Sequence, residues 1–497
     1  MTPMTLVIAG GGTAGWMAAA ALGHLLGEHV TIRLVESEAI GTVGVGEATI
    51  PQIRLFNQAL GLDEDAFLRA TGGTFKLGIA FDGWSAPGHS YMHAFGDVGR
   101  DVGPVPFQHY WLRARAAGVA GPLGDYCMNA VAARAGRVHR GPPLTARTIP
   151  PIPYAFHFDA NLYAAYLARF ARNRGVERIE GVIATVERRG ESGDVAALLL
   201  DDGRRVTGDL FLDCTGFRGL LIEGALATGY EDWSRWLPCD RAVAQPSNGS
   251  GEPLPYTRAI ARGAGWQWRI PLQHRTGNGH VYCSAFTSDD EAAAVLAANL
   301  DGEPAGDPRP LRFVTGRRRK AWSHNVVALG LASGFLEPLE STSIHLIQSA
   351  IARLVKLLPA LPVAEALRAE YNRQADFEME RIRDFLILHY WANGRDEPFW
   401  QACRAMDLPD TLAAKIELWR EAGVITREHE ELFTEDGWLQ VLVGQGVVAR
   451  AHHPLADAIS QADLAEYMET LPLLYRREAD ALAQHGAFVA QHCAMRR

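Results

Sequence analysis

Long apolar runs are missing from this chain. No uninterrupted stretch among its 497 residues reaches the ~18 that a membrane span requires. Cysteine is scarce. The six present (Cys127, Cys214, Cys239, Cys283, Cys403 and Cys493) lie far apart with no CxxC pair, which excludes a zinc pattern and a dense disulfide framework. Positive charge is in deficit: 48 Lys+Arg stand against 57 Asp+Glu, a net −9, the opposite of a nucleic-acid surface. The one dense basic run, Arg317-Arg318-Arg319-Lys320, reads as a solvated face or a local structural element. Internal repeats and low-complexity tails are absent, and no basic segment with a small-residue cleavage site suggests a signal peptide. The expectation is a reduced, cytoplasmic protein with neither nucleic acid nor membrane as partner.

What is there is globular. Apolar residues make up 48% and charged residues 21%, and the length suits about three average domains' worth of core. Residues 5–9 (Thr-Leu-Val-Ile-Ala) are a β-branched apolar run and predict a buried strand. Gly10-Gly11-Gly12-Thr13-Ala14-Gly15 follows, then an alanine-rich helical period over 16–26, then a second strand over 30–35 ending at Glu36. This is a βαβ start with the Gly10-x-Gly12-x-x-Gly15 fingerprint of dinucleotide binding. Gly10 allows the tight turn, Gly12 lets backbone approach a pyrophosphate, and Gly15 lets helix pack on strand. The pyrophosphate would meet unpaired N–H groups of Thr13, Ala14 and Gly15, and Glu36 would bind ribose hydroxyls.

The fingerprint by itself does not separate FAD from NAD. Further strands predicted at 182–186, 196–200, 209–213 and 325–331 include two that bring Asp213 and Gly330 back toward the same edge, which suits FAD. Residues 60–150 read as irregular, 244–255 and 300–310 as loops, and 365–390 and 451–491 as helical. The expected fold is α/β: a Rossmann-like FAD-binding body with inserted β-sheet segments over 1–345. A mainly helical region over 346–497 would pack on it and close a substrate pocket, the two parts making one compact unit.

Five segments together carry a resemblance. They are Gly10 to Trp16, Gly44-Val45-Gly46-Glu47-Ala48-Thr49, Thr74-Phe75-Lys76-Leu77-Gly78, Gly265-Trp266-Gln267-Trp268-Arg269-Ile270-Pro271 and Phe335-Leu336-Glu337-Pro338-Leu339-Glu340-Ser341-Thr342. In this order they resemble the flavin-dependent tryptophan halogenase family. The resemblance implies that FADH2 from a separate flavin reductase reacts with O2 to a flavin hydroperoxide. Chloride or bromide then becomes hypohalous acid, which a lysine relays to an electron-rich ring. It places FAD against Gly46, Glu47 and Ala48 as well as the fingerprint, and is compatible with a homodimer.

Residue by residue, the resemblance makes Lys76 the relay and Glu340, immediately before Ser-Thr, the acid that stabilises the arenium cation and takes its proton. Both have plainer readings, Lys76 as a surface lysine and Glu340 as a helix N-terminal acid. Backbone N–H groups of Thr342 and Ser343 would bind halide. Trp266, Trp268, Ile270 and Pro271 would line the wall between flavin and substrate, although aromatics two apart on a strand also serve as core. His109 and Trp111 are candidate ring-stacking walls; His93-Ala94-Phe95-Gly96 is family-like but is assigned no chemistry.

Relatives acting on free tryptophan carry a tyrosine pair, a glutamate and a Phe-Trp pair shortly before a Gly-x-Gly. Here the tyrosine pair is missing, Glu428 stands for the glutamate, and Leu432-Phe433 replaces Phe-Trp. An amino-acid clamp that loses two hydroxyls loses ~1–3 kcal/mol per unpaired group. The expected substrate is therefore an indole-type ring other than free tryptophan. A flavin-dependent aromatic hydroxylase, and a halogenase for a carrier-bound or peptidyl indole, are the alternatives.

Overall fold

The computed structural model describes residues 4–40, 46–141, 150–249 and 251–496. Gly44 and Val45 of the expected flavin motif lie outside them.

Strand β1 (Met4–Ala9), helix α1 (Thr13–Leu26) and strand β2 (Val30–Glu36) form the expected βαβ unit. The period-2 alternation of β1 explains its place. Leu6 and Ile8 join one buried cluster with the alanines of α1, while Val7 and Ala9 join a second on the other face. β1 pairs in parallel with β2 on one side and with Leu210–Asp213 on the other, in register Leu6↔Leu210. Val326–Ala328 and Glu177–Glu180 extend this sheet to six strands with the short antiparallel edge Trp322–Ser323.

A second, seven-stranded sheet carries the other half of the site. Its order runs Arg309–Arg312, Arg241–Ala244, Thr276–Tyr282, Gly265–Pro271, Thr257–Arg262 and then two strands from the segment read as irregular. A three-stranded sheet joins strand β3 (Gly46–Ala48) and strand β4 (Thr74–Lys76) to the central strand Ala155–Asp159. The segment 60–150 is thus not irregular. It holds β4, β5 (Gly78–Asp82), β6 (Ser90–Ala94) and the helices Glu64–Thr71, Phe107–Ala116 and Met128–Arg134. The strands are short and buried over nearly their whole length, so no alternation marks them, and the helices are only seven to ten residues long.

Two further expectations need correction. The strand around 325–331 is only Val326–Ala328, because Gly330 takes a positive φ of 60° and starts a 3-10 turn. The stretch 451–491 is not one helix: it divides into Pro454–Ala458, Gln461–Ala481, the short strand Ala483–Gln484 and His485–His492. The helix Ser343–Lys356 runs across the division drawn at 345/346, and one buried cluster takes side chains from both sides of it. The long helix Glu365–Trp391 has polar residues in its first half and a fully buried second half, Arg381 to Tyr390. The basic run divides: Arg317 pairs with Glu231, Asp376 and Glu380 and Arg318 with Glu223, as a structural element, while Arg319 and Lys320 are exposed.

Candidate active site

The glycines divide their labour. Gly10 has φ 104°, and a methyl there would lie 2.4 Å from the Cys214 carbonyl oxygen. A methyl on Gly15 would lie 1.9 Å from the Gly10 oxygen. Gly12 differs: a methyl would meet nothing within 4 Å, so its face is an open cradle at the N-terminus of α1, which no side chain caps. That arrangement fits a pyrophosphate lying on Thr13, Ala14 and Gly15.

Glu36 ends β2 beside the cradle, with Oε1 bound by Arg178 Nε (2.6 Å) and Oε2 receiving Trp16 Nε1 (3.3 Å). Gly330 presses close to Ala14, 2.9 Å from a methyl placed on it to the alanine Cβ. On β3, Gly46 abuts Ile270, Ala48 is buried, and burial lifts the Glu47 carboxyl to about 7. Asp213 plays a different part from the one expected. It is buried, and its two oxygens receive Thr215 N–H, Thr215 Oγ1, Leu221 N–H and Ile222 N–H. It holds the loop that follows its strand and leaves no oxygen for a cofactor.

Lys76 and Glu340 come together across 264 positions of sequence, and both are almost wholly buried. The surface-lysine reading therefore fails. Strand β4 points Lys76 inward, where Nζ donates to Ser341 Oγ at 2.7 Å and lies 5.4 Å from the Phe95 ring centre. Burial pulls its pKa down and the Glu340 carboxylate opposes this, leaving it at about 7. Ser341 itself sits in the left-handed region, φ 60°, a conformation that costs a non-glycine residue about 1 kcal/mol or more.

Glu340 closes the 3-10 turn Pro338–Glu340. Its Oε2 lies 2.9 Å from His93 Nδ1 and its Oε1 lies 2.8 Å from His389 Nε2. Burial works to raise its pKa, but the two histidines outweigh burial and hold it at about 2. His93 and His389 are the residues that sequence reading missed. The signal for His93 was its pairing with Phe95 at strand period in β6 and beyond. For His389 it was a lone imidazole inside the apolar run Phe385 to Tyr390.

Just beyond, the helix Ser343–Lys356 begins with no side-chain cap, and the buried Thr342 Oγ1 has no hydrogen-bond partner. An anion at these amides would fit. Trp266, Trp268 and Ile270 form one row along their strand. It runs from Glu337, whose Oε2 accepts Trp266 Nε1 at 2.9 Å, to Gly46 beside Ile270. Pro271 accepts Thr74 Oγ1 at 2.7 Å and so steadies β4. Burial lifts Glu337 to about 7, against its bonds from Trp266 and Tyr390, which marks it as a support for the tryptophan wall.

His109 stands apart from Lys76 and Glu340. Its Nδ1 accepts the His453 N–H at 3.1 Å, and burial with neighbouring histidines lowers it to about 4, so it braces the C-terminal segment. Trp111 donates to the Gly121 carbonyl and lines a cavity of about 370 Å³ with Tyr91, Met92 and Arg115.

The profile of the family described as tryptophan halogenase matches residues 5–461, nearly the whole chain. The chain belongs to this family. It is 37% identical to the tryptophan 6-halogenase SttH of Streptomyces toxytricini, over 93% of this chain and 92% of that one. Among solved structures, the flavin-dependent halogenase Xcc4156 of Xanthomonas campestris superposes with a TM-score of 0.97 at 50% identity, covering 100% of this chain and 99% of that one. BrvH, a flavin-dependent halogenase of Brevundimonas sp. BAL3, gives 0.95 at 46% identity, covering 98% and 99%. The protein is accordingly an FADH2-dependent halogenase using O2 and halide, with reduced flavin supplied by a separate reductase. Its α/β fold with a helical C-terminal region is the halogenase fold, and the hydroxylase alternative has no support.

Proposed function

We propose that this halogenase chlorinates or brominates an indole-type ring other than free tryptophan, in the cytoplasm. The observation that carries the chemistry is the buried pair of Lys76 on Ser341 and Glu340 between two histidines. Bound reduced flavin, O2 and halide supply hypohalous acid. Lys76, with pKa at about 7, offers amine and ammonium forms at neutral pH and holds that electrophile by hydrogen bonding or as a haloamine. Glu340 stabilises the positive ring and takes the proton lost when the new carbon–halogen bond forms. The thiols support the location: all six cysteines are buried and free.

The substrate reading rests on the region of the missing clamp. Glu428 is engaged by Arg381 at 3.2 Å, and Phe433 brings a stacked ring without a donor, 3.8 Å from Phe385. SttH carries tryptophan in its name, but here the groups for an amino-acid zwitterion are spent or replaced. The stacked Phe433 and Phe385 rings both lie beside His93, the imidazole that meets Glu340, so aromatic surface rather than an amino-acid clamp adjoins the acid.

The test is mass spectrometry of one reaction containing the protein, FAD, a flavin reductase, NADH, halide, and indole with tryptophan in competition. Halogenated indole in excess over halotryptophan is expected. Halotryptophan in excess overturns the substrate reading. NADH consumption with neither product overturns the small-indole reading and points to a tethered substrate.

A further inference from the structure

The cavity beside Trp111 takes no part in the chemistry above. Its volume of about 370 Å³ falls within the roughly 300–1,000 Å³ of small-molecule sites. Neither Lys76 nor Glu340 lines it. Two rings stand between the cavity and the acid. Tyr91 borders the cavity and stacks on Phe81 at 5.0 Å, and Phe81 in turn packs on His389 at 4.8 Å.

The walls of the cavity are apolar and its edge is positive. Tyr91, Met92, Trp111 and Leu123 are buried side chains that close it from within. The Trp111 ring is fixed in place, because its N–H donates to the carbonyl of Gly121, another lining residue. Arg115, Arg134 and His89 are exposed and complete the lining, and among the described residues no Asp or Glu joins them. Arg134 shares a single carboxylate, Asp125, with Arg476. Asp82, which accepts the hydroxyl of the lining Ser90, is taken by Arg258. Arg115 lies 5.1 Å from the Trp111 ring centre and has no carboxylate partner among the described residues. A chain of net charge −9 thus keeps an unpaired guanidinium over an aromatic wall.

We propose that this cavity is a second ligand site and that it takes a small aromatic carboxylate. The ring of the ligand leaves water for the surfaces of Tyr91, Met92 and Trp111. Its carboxylate meets the Arg115 guanidinium, whose planar fork suits two parallel N–H···O bonds. The match is one anionic head to one free cation. A phosphate would set an all-polar surface against apolar walls, and a neutral ring would leave Arg115 without an anion. The site stands apart from the catalytic pair, so the proposal does not depend on which indole is halogenated.

The test is isothermal titration calorimetry of the FAD-loaded, full-length protein at pH 7. The probes are indole-3-acetate and 3-methylindole, which offers the same ring without the charge. Indole-3-acetate is expected to bind, and Arg115→Gln is expected to weaken it at least tenfold while leaving 3-methylindole unchanged. Arg115→Lys keeps a charge at the edge but loses the fork, and its affinity is expected to fall between the two. Arg115 is exposed, so its replacement removes no core packing. No binding of indole-3-acetate at about 1 mM, or equal affinity in the wild type and Arg115→Gln, overturns the proposal. Arg115→Gln is also expected to halogenate indole at the wild-type rate. A tenfold loss there would put the cavity on the substrate's path and overturn the assignment of a second site.

Discussion

A single lysine sets the terms at the residue scale. Lys76 lies fully buried with its pKa pulled from an ordinary 10.5 to about 7. Between those values the unfolded chain binds more protons than the folded one, so this residue's contribution to stability rises with pH over that window. Below about 7 its cost is carried in full. Lys76→Met is therefore expected to raise Tm, by about 1 kcal/mol equivalent. The gain should be larger at pH 6.5 than near the upper end of the window, and thermal melts at both ends measure it. The same variant, or Lys76→Ala, is expected to abolish halogenation while FADH2 oxidation continues; halogenated indole at the wild-type rate would remove Lys76 from the chemistry. Glu340→Gln keeps the shape but is a far poorer base. A loss of ~10²–10⁴ in halogenation rate is expected, with flavin binding unchanged.

Elements decide which glycines matter for folding and which for binding. Gly15 sits where α1 meets β1, and a methyl there would strike the Gly10 oxygen at 1.9 Å. Gly15→Ala is expected to lower Tm by the equivalent of ~1–3 kcal/mol or more, since backbone must move. Gly12 has φ −73° and ψ −172°, which alanine adopts freely, and its methyl would meet no protein atom. Gly12→Ala is therefore expected to leave the apoprotein's Tm within about 0.5 kcal/mol equivalent while weakening FAD binding at least tenfold. Calorimetry and a flavin fluorescence titration separate the two effects. An unchanged flavin affinity in Gly12→Ala would mean that the pyrophosphate does not lie in this cradle.

At the scale of the whole molecule, the C-terminal end of the chain supports the catalytic strand. His485 lies 410 positions from Phe75, yet its Nε2 accepts the Phe75 N–H at 3.1 Å while its Nδ1 donates to the Pro253 carbonyl. The Phe75 ring meets His485 and Phe488 edge-on, one residue before Lys76. His485→Ala leaves a buried N–H unpaired, at ~1–3 kcal/mol, and opens a gap behind β4. A lower Tm and slower halogenation are expected together, although the residue is remote in sequence from every site motif. A variant with normal Tm and normal rate would show that β4 does not need this brace.

The sequence by itself determined the local chemistry. The nucleotide unit was legible because a glycine fingerprint, a β-branched strand and an alanine-rich helix are short-range patterns, each imposed by backbone geometry within about 30 residues. Lys76, Glu340 and the Trp266–Trp268 pair were legible as motifs. Tertiary structure decided what those residues touch. It buried Lys76, set His93 and His389 on opposite oxygens of Glu340, filled Asp213 with loop donors and turned His109 toward His453. The physical reason is that burial and partner choice come from contacts between segments far apart in the chain. Short strands enclosed on all faces, such as β4 and β6, leave no period from which those contacts could be read.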